Sequence, residues 1–232
     1  KGSYIQLENT DADYAANHYP DDANGNLYRG SKYPWEANLT YYGTNANVYY
    51  GARGHGYYKN SNSSENDWSD LITLSAVMNT NTSSDAVYAQ AVRQVANVEQ
   101  WIRSFAIYAL NGSGETAFQT GVGDDYLMYR GIKDPRFILL AHDLDSCFGQ
   151  TGGAPTNAHL FRMCPFVGYG SANATALNRF MTNAYFAPIY YQQLNDLLNT
   201  HFQPGEVART LDLCYVLHAD HGLREGSRRE AD

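Results

Sequence analysis

The residues from Gly123 to Gly149, GDDYLMYRGIKDPRFILLAHDLDSCFG, restrict the fold of this chain more than any other stretch. Two short apolar runs, Tyr126 to Tyr129 and Phe137 to Leu140, flank Arg130 to Arg136, whose Gly131 and Asp134-Pro135 mark a turn, so the unit reads as a β-hairpin. With the turn centred near Lys133, antiparallel pairing sets Asp124 and Asp125, at the start of the first strand, beside Asp143 and Asp145 at the end of the second. In an extended segment Asp143 and Asp145 also share a face, because strand side chains alternate. Four carboxylates then meet at one mouth. Two like charges about 4 Å apart at an effective dielectric of about 20 repel by roughly 4 kcal/mol, so the cluster calls for a shared proton or a hard divalent ion, Mg²⁺ or Mn²⁺. The competing reading is a solvated loop with several aspartates. Against it, the apolar residues from Phe137 run straight into the acids, as in a strand that leaves a core before reaching its rim.

The charge balance narrows the partners. The net charge is -8, and no Lys/Arg run is longer than Arg228-Arg229, which argues against nucleic acid or an anionic membrane surface as the main partner. No stretch approaches the roughly 18 apolar residues of a membrane span, and the opening residues do not read as a signal peptide. The chain opens directly on Tyr4 to Glu8, which reads as a strand, so residues are expected to precede it. An abundance of Asn, 20 Tyr and sequons at Asn38, Asn62, Asn81, Asn111 and Asn173 lean towards an extracellular surface. Cys147, Cys164 and Cys214 permit at most one internal disulfide and have no zinc spacing. A Cys147–Cys164 bridge around the polar loop Gly149 to Asn157 and a pair of reduced thiols are the two alternatives there.

Residues 4 to 59 look β-rich, with strands expected at Tyr4 to Glu8, Asn26 to Arg29 and Asn47 to Tyr50. Gly51 to Gly56 is glycine-rich but matches no phosphate-loop pattern. From Asn66 the period changes: Asp67 reads as the N-cap of a helix through Trp68, Leu71, Ile72, Ser75 and Met78, and a second helix follows Asp85. Asn97 with Gln100 reads as a capping box opening a third helix, whose Val98, Trp101, Ile102, Phe105 and Ala109 form an apolar core stripe ending at Asn111-Gly112. Helices resume at Ala176 to Met181 and after Pro188.

Asn66 to Ile72, Val98 to Arg103, Gly123 to Arg130 and Asp143-Leu144-Asp145 occur in the order seen in the spore coat protein CotH family of atypical secreted kinases, and the chain resembles that family over roughly residues 4 to 203. Asn26 to Gly30 and Tyr58-Lys59 resemble its N-terminal strands. The resemblance implies an α+β, divergent protein-kinase-like fold in a single domain truncated at its N-terminus: a β-rich small lobe over 1–65, a mostly helical larger lobe with the catalytic hairpin over 66–203, and an atypical tail over 204–232. It also implies ATP, Mg²⁺ or Mn²⁺, and a Ser/Thr acceptor on a secreted, spore-surface or cell-surface protein, with no nucleic acid.

Carried over by position, Asp143 resembles the family's metal-binding aspartate, with Asp145 in the same D-x-D and Asp125 or Asp145 completing the shell. The family's other functional carboxylate follows the long helix in an Asn-x-Asp segment. Here the place reads Ser113-Gly114-Glu115, two departures, and Glu115 stands 28 positions before Asp143. Glu115, with Asp125, is the expected base or nucleophile-orienting acid, and Arg29 or Lys59 the cation that meets the phosphates. The departures at Ser113 and Glu115 leave an inactive pseudokinase serving as a surface or coat interaction module as an alternative, and a metal-dependent hydrolase as a third reading.

Overall fold

The hairpin expected from the sequence forms, and it supplies half of a four-stranded sheet. The computed structural model describes residues 8–31, 36–113, 126–144, 147–148 and 175–215. In chain order these hold α1 (Ala12–His18), β1 (Asn26–Gly30), β2 (Tyr57–Lys59), α2 (Ser69–Met78), α3 (Asp85–Val95), α4 (Val98–Asn111), β3 (Tyr126–Arg130), β4 (Ile138–Leu140), α5 (Thr175–Thr182) and α6 (Ala187–Asn199). The class is mixed α+β. The sheet runs β2-β1-β3-β4 with every neighbour antiparallel, so strands from the first 65 residues and the later hairpin share one sheet.

Register follows from burial. Tyr28, Met128 and Leu139 pair across β1, β3 and β4 and face the main core, where Trp101, Phe105, Phe180 and Leu177 also pack. The alternate residues Leu27, Leu127, Tyr129 and Leu140 face a smaller cluster closed by Ala15 and Tyr14 of α1 and by Tyr19, which stacks on Tyr129 with ring centroids 4.5 Å apart. The first four residues of β3 are buried, on both faces of the strand, which is why Tyr-Leu-Met-Tyr reads as a continuous apolar run.

The hairpin turn is held from outside the hairpin. Asp22, in a short 3₁₀ turn after α1, points its carboxylate at the tip and accepts from the N–H groups of Ile132 (2.8 Å), Lys133 (3.0 Å) and Asp134 (3.1 Å). A Cβ on Gly131 would sit 1.9 Å from Asp22 Oδ2, so glycine is required by close approach. Burial opposes ionisation of Asp22, but the three amide donors outweigh it and hold the carboxyl below its ordinary value.

The free edge of β4 is closed by a helix. Phe137 N–H donates to Val95 O (2.8 Å), and Phe137 O accepts from Asn97 N–H (3.0 Å) and Trp101 Nε1 (2.8 Å). Asn97 caps α4 as expected, through Gln100 N–H at 3.3 Å. Gln100 does not complete the capping box. Its side-chain amide accepts from Leu139 N–H (2.9 Å) and donates to Leu139 O (2.7 Å), acting as a one-residue substitute for a fifth strand.

Other expectations are corrected. Asn47 to Tyr50 is not a strand: the Asn45 side chain accepts from Asn47 N–H (3.1 Å) and bends Ala46–Val48 into a 3₁₀ turn. Tyr49 then enters the core, with its hydroxyl donating to Gly43 O (2.9 Å). α2 begins at Ser69, two residues after Asp67, whose side chain accepts from Ser69 N–H (2.9 Å). Tyr4 to Leu7 lie outside the described residues. α4 ends as expected, at Gly112 with φ 65°. Cys147 is a buried thiol, so the bridge to Cys164, itself outside the described residues, is not supported. Residues 204–215 form a helix whose side chains are exposed, and no described helix is long and apolar enough to cross a membrane.

Gln100→Ala leaves the buried N–H and C=O of Leu139 without partners and is expected to destabilise the protein by about 1–3 kcal/mol, read as a lower urea midpoint at unchanged slope. Asp22→Ala is expected to cost about 1 kcal/mol at pH 6. Because the folded pKa of Asp22 is depressed, its contribution is complete above the ordinary carboxyl value and is lost as pH falls through the folded one. Below about pH 4 the variant should therefore lose stability less steeply than the parent, as unfolding curves between pH 3 and 6 will show.

Candidate functional site

Of the residues expected to do chemistry, Arg29, Lys59 and Asp143 are described, whereas Glu115, Asp125 and Asp145, with Asp124, lie outside the described residues. Arg29 is the exposed residue of β1. It pairs with Tyr58 on β2 and with Leu127 on β3, and Leu127 pairs in turn with Leu140 on β4. At about 4.8 Å per strand, the backbones of Arg29 and Leu140 stand roughly 10 Å apart across the sheet. Asp143 follows Leu140 by three residues and is also exposed. The sheet therefore carries a guanidinium and a carboxylate, both solvent-facing, at one end.

Asp143 has φ +48°, in the left-handed region that Asp tolerates better than most side chains. This corrects the picture of an extended acidic strand. β4 ends at Leu140 and Asp143 has left-handed backbone, so the strand alternation invoked for Asp143 and Asp145 does not run through this point. Among the described residues no group of three or more His, Cys, Asp or Glu could hold a metal. Asp143 is the described donor of the expected set, and an exposed carboxylate is the hard, accessible oxygen ligand that Mg²⁺ takes alongside its waters.

Lys59 is placed elsewhere. It pairs with Tyr28, one register position from Arg29, so it points to the opposite face of the sheet. The residue is 7% exposed, and its Nζ donates to Asp67 O (2.8 Å) 6.0 Å from the centroid of the Tyr28 ring. Arg29 and Lys59 thus do not converge, and Arg29 is the one that accompanies Asp143.

Lys59 belongs to a polar cluster at the other end of the strands, which sequence reasoning did not assemble. Asp70 accepts from the Tyr28 hydroxyl (2.6 Å) and from Asn26 Nδ2 (2.7 Å). Burial, followed by the Asp70 charge and hydrogen bond, pushes the Tyr28 phenol far up, so it remains a donor. Asp67 is held below the usual carboxylate range, chiefly by the backbone N–H and then the side chain of Ser69, with Lys59 and Arg130 adding smaller attractions. The available signal was the three-residue spacing of Asp67 and Asp70, about one helical turn. Two sequons also lose their reading as glycan sites: Asn38 is 2% exposed, and Asn62 Nδ2 donates to Asn24 O (3.1 Å), Gly25 O (3.1 Å) and Asn26 Oδ1 (3.0 Å).

Arg29→Ala and Asp143→Ala remove exposed side chains and should leave the urea-unfolding free energy within about 0.5 kcal/mol of the parent. Lys59→Ala loses a buried stem and the donor to Asp67 O, and should cost about 1–3 kcal/mol. Equal stability of all three variants would remove the structural role assigned to Lys59. Comparison with protein families shows that the model of the CotH kinase protein family matches residues 1–219. A search of curated proteins finds no match.

Proposed function

Because the chain belongs to the CotH kinase protein family, we propose that it transfers the γ-phosphoryl group of ATP to Ser or Thr hydroxyls of secreted, spore-surface or cell-surface proteins, in a reaction that depends on Mg²⁺ or Mn²⁺. Family membership implies an atypical kinase that uses ATP. The observation that supports the finer reading is the exposed Arg29–Asp143 end of the sheet.

Phosphoryl transfer asks little covalent work of the protein; rate comes from holding the polyphosphate in line with the acceptor and from opposing its charge. Arg29 offers a forked guanidinium suited to two phosphate oxygens at once. Asp143, assisted by Asp145 or Asp125, is the proposed metal ligand, and a bound divalent ion would supply neutralisation of the phosphate oxygens. Glu115 is the proposed base that orients the acceptor hydroxyl and takes its proton, with Asp125 as the second catalytic acid. Glutamate reaches about one methylene further than the aspartate of the family pattern, so the acceptor hydroxyl sits correspondingly further from the backbone.

The test is transfer from γ-labelled ATP to a Ser/Thr-containing acceptor protein with Mg²⁺ or Mn²⁺. The expected outcome is incorporation that EDTA abolishes, that Asp143→Ala lowers by about 100-fold or more, and that Arg29→Ala weakens chiefly through an ATP KM raised about tenfold. ATP binding without incorporation under either metal would favour the inactive interaction module. Turnover of a phosphodiester with no labelled protein would favour the hydrolase.

A further inference from the structure

At the turn end of the hairpin, the length of β3 away from the Arg29–Asp143 end (about 14 Å at the usual rise per residue), a cavity of about 390 Å³ opens between the sheet and the helices. Asn26 and Arg130, partners in register across β1 and β3, form one wall together with Pro135 and Phe137 of the returning chain. Asp67, Ser69, Asp70 and Thr73 at the start of α2 form the second, and Gln94 and Val95 at the end of α3 the third. A volume of this size falls in the range of small-molecule sites, about 300–1,000 Å³.

The charges in this cavity are not joined to one another by any hydrogen bond or ion pair among the described residues, although Arg130 adds a small attraction at Asp67. Asp70 is committed to Tyr28 and Asn26, and Asp67 to Ser69. Arg130 is half-buried at the end of a central strand, yet among the described residues no hydrogen bond or ion pair reaches its guanidinium, and neither aspartate approaches it within ion-pair distance. A guanidinium carries five N–H donors, and on an open cavity those that no protein group meets are left to water or to a ligand. A cation and two anions held apart around one space fit a ligand that bridges them.

We propose that the cavity binds a small zwitterion carrying an ammonium and a carboxylate, of the α-amino-acid class, its carboxylate on Arg130 and its ammonium at Asp67 and Asp70. The lining carries two negative charges and one positive. Phosphate would bring its charge against both aspartates, and a simple amine would leave Arg130 unmet; a zwitterion answers both signs without adding net charge. Thr73, Gln94 and Asn26 supply neutral hydrogen-bonding groups, and Phe137, Pro135 and Val95 an apolar wall for a short side chain. The site is independent of the phosphoryl-transfer reading, and either can fail alone.

Titration calorimetry of the full chain with L-glutamine and L-methionine, against butylamine, butyrate and inorganic phosphate, tests it. The expected result is saturable binding of at least one amino acid, about tenfold or more tighter than any singly charged control, unaffected by saturating ATP. Arg130→Gln and Asp67→Asn should each weaken it by about tenfold, the loss expected for one charge-assisted hydrogen bond, and Arg29→Ala should leave it unchanged. In the unsubstituted protein, the bound amino acid should protect Arg130 from phenylglyoxal, read by peptide mass spectrometry, which removes dependence on the folding of the variants. Absence of amino-acid binding, phosphate or butylamine binding more tightly, affinity unchanged in Arg130→Gln, or modification of Arg130 unslowed by ligand would each overturn the proposal.

Discussion

The joint between α4 and β4 sets the position of everything the hairpin carries. β4 is the edge of the sheet, yet it lies against the core, so the outward N–H and C=O groups of this strand have no water to turn to and must find protein partners. Gln100 meets both groups of Leu139 with its side-chain amide, and Asn97 N–H and the Trp101 indole N–H meet the carbonyl of Phe137 just before the strand, all from the start of one helix. The helix therefore closes the sheet chemically as well as sterically. Asp143, three residues beyond β4, takes its place from this joint, while Asp22 secures the opposite end of the hairpin through the amides of the turn.

Held at both ends, the hairpin divides polar chemistry between two ends of the sheet. One end exposes Arg29 and Asp143. The other gathers Asp67, Asp70, Asn26, Tyr28 and Arg130 beneath the start of α2, with Lys59 fastened to the Asp67 carbonyl under them. A one-residue change of register between β1 and β2 would set Lys59 opposite Arg29 and turn it to the same face, since neighbouring strand residues point oppositely. What fixes the register is apolar: Tyr28 and Tyr57 must enter the main core, and Leu27 must reach the pocket under α1. The roles open to the two cations follow from where the tyrosines and the leucine go.

Local pattern was enough for much of this. The hairpin and its turn, the core stripe of α4, the Asn97 cap and the Gly112 stop are each encoded within a few residues, where period, cap chemistry and left-handed tolerance act without help from distant chain. The failures share a cause. Asn47 to Tyr50 has strand composition, but the Asn45 side chain and the core's claim on Tyr49 overrule it. Gln100 fits the capping box by type and spacing, yet its amide satisfies two groups on β4, while the Asn97 N–H that a capping box would meet already donates to Phe137 O. Arg29 and Lys59 looked equivalent because charge and strand propensity say nothing about which face a strand turns to which neighbour.

Sequence by itself determined the hairpin with its acidic character, the helices from α2 onward and the family, because these depend on residue types at short spacing. Only the tertiary structure decided that β1 lies beside β3, that Asp22 grips a turn more than a hundred positions away in the chain, that Arg29 and Asp143 come to one end while Lys59 is buried, and that Arg130 faces two aspartates across an open space. The reason is physical. Such placements are set by which apolar surfaces are buried against which, and by which buried polar groups then still need a partner, and neither quantity exists until the whole chain has closed on its core.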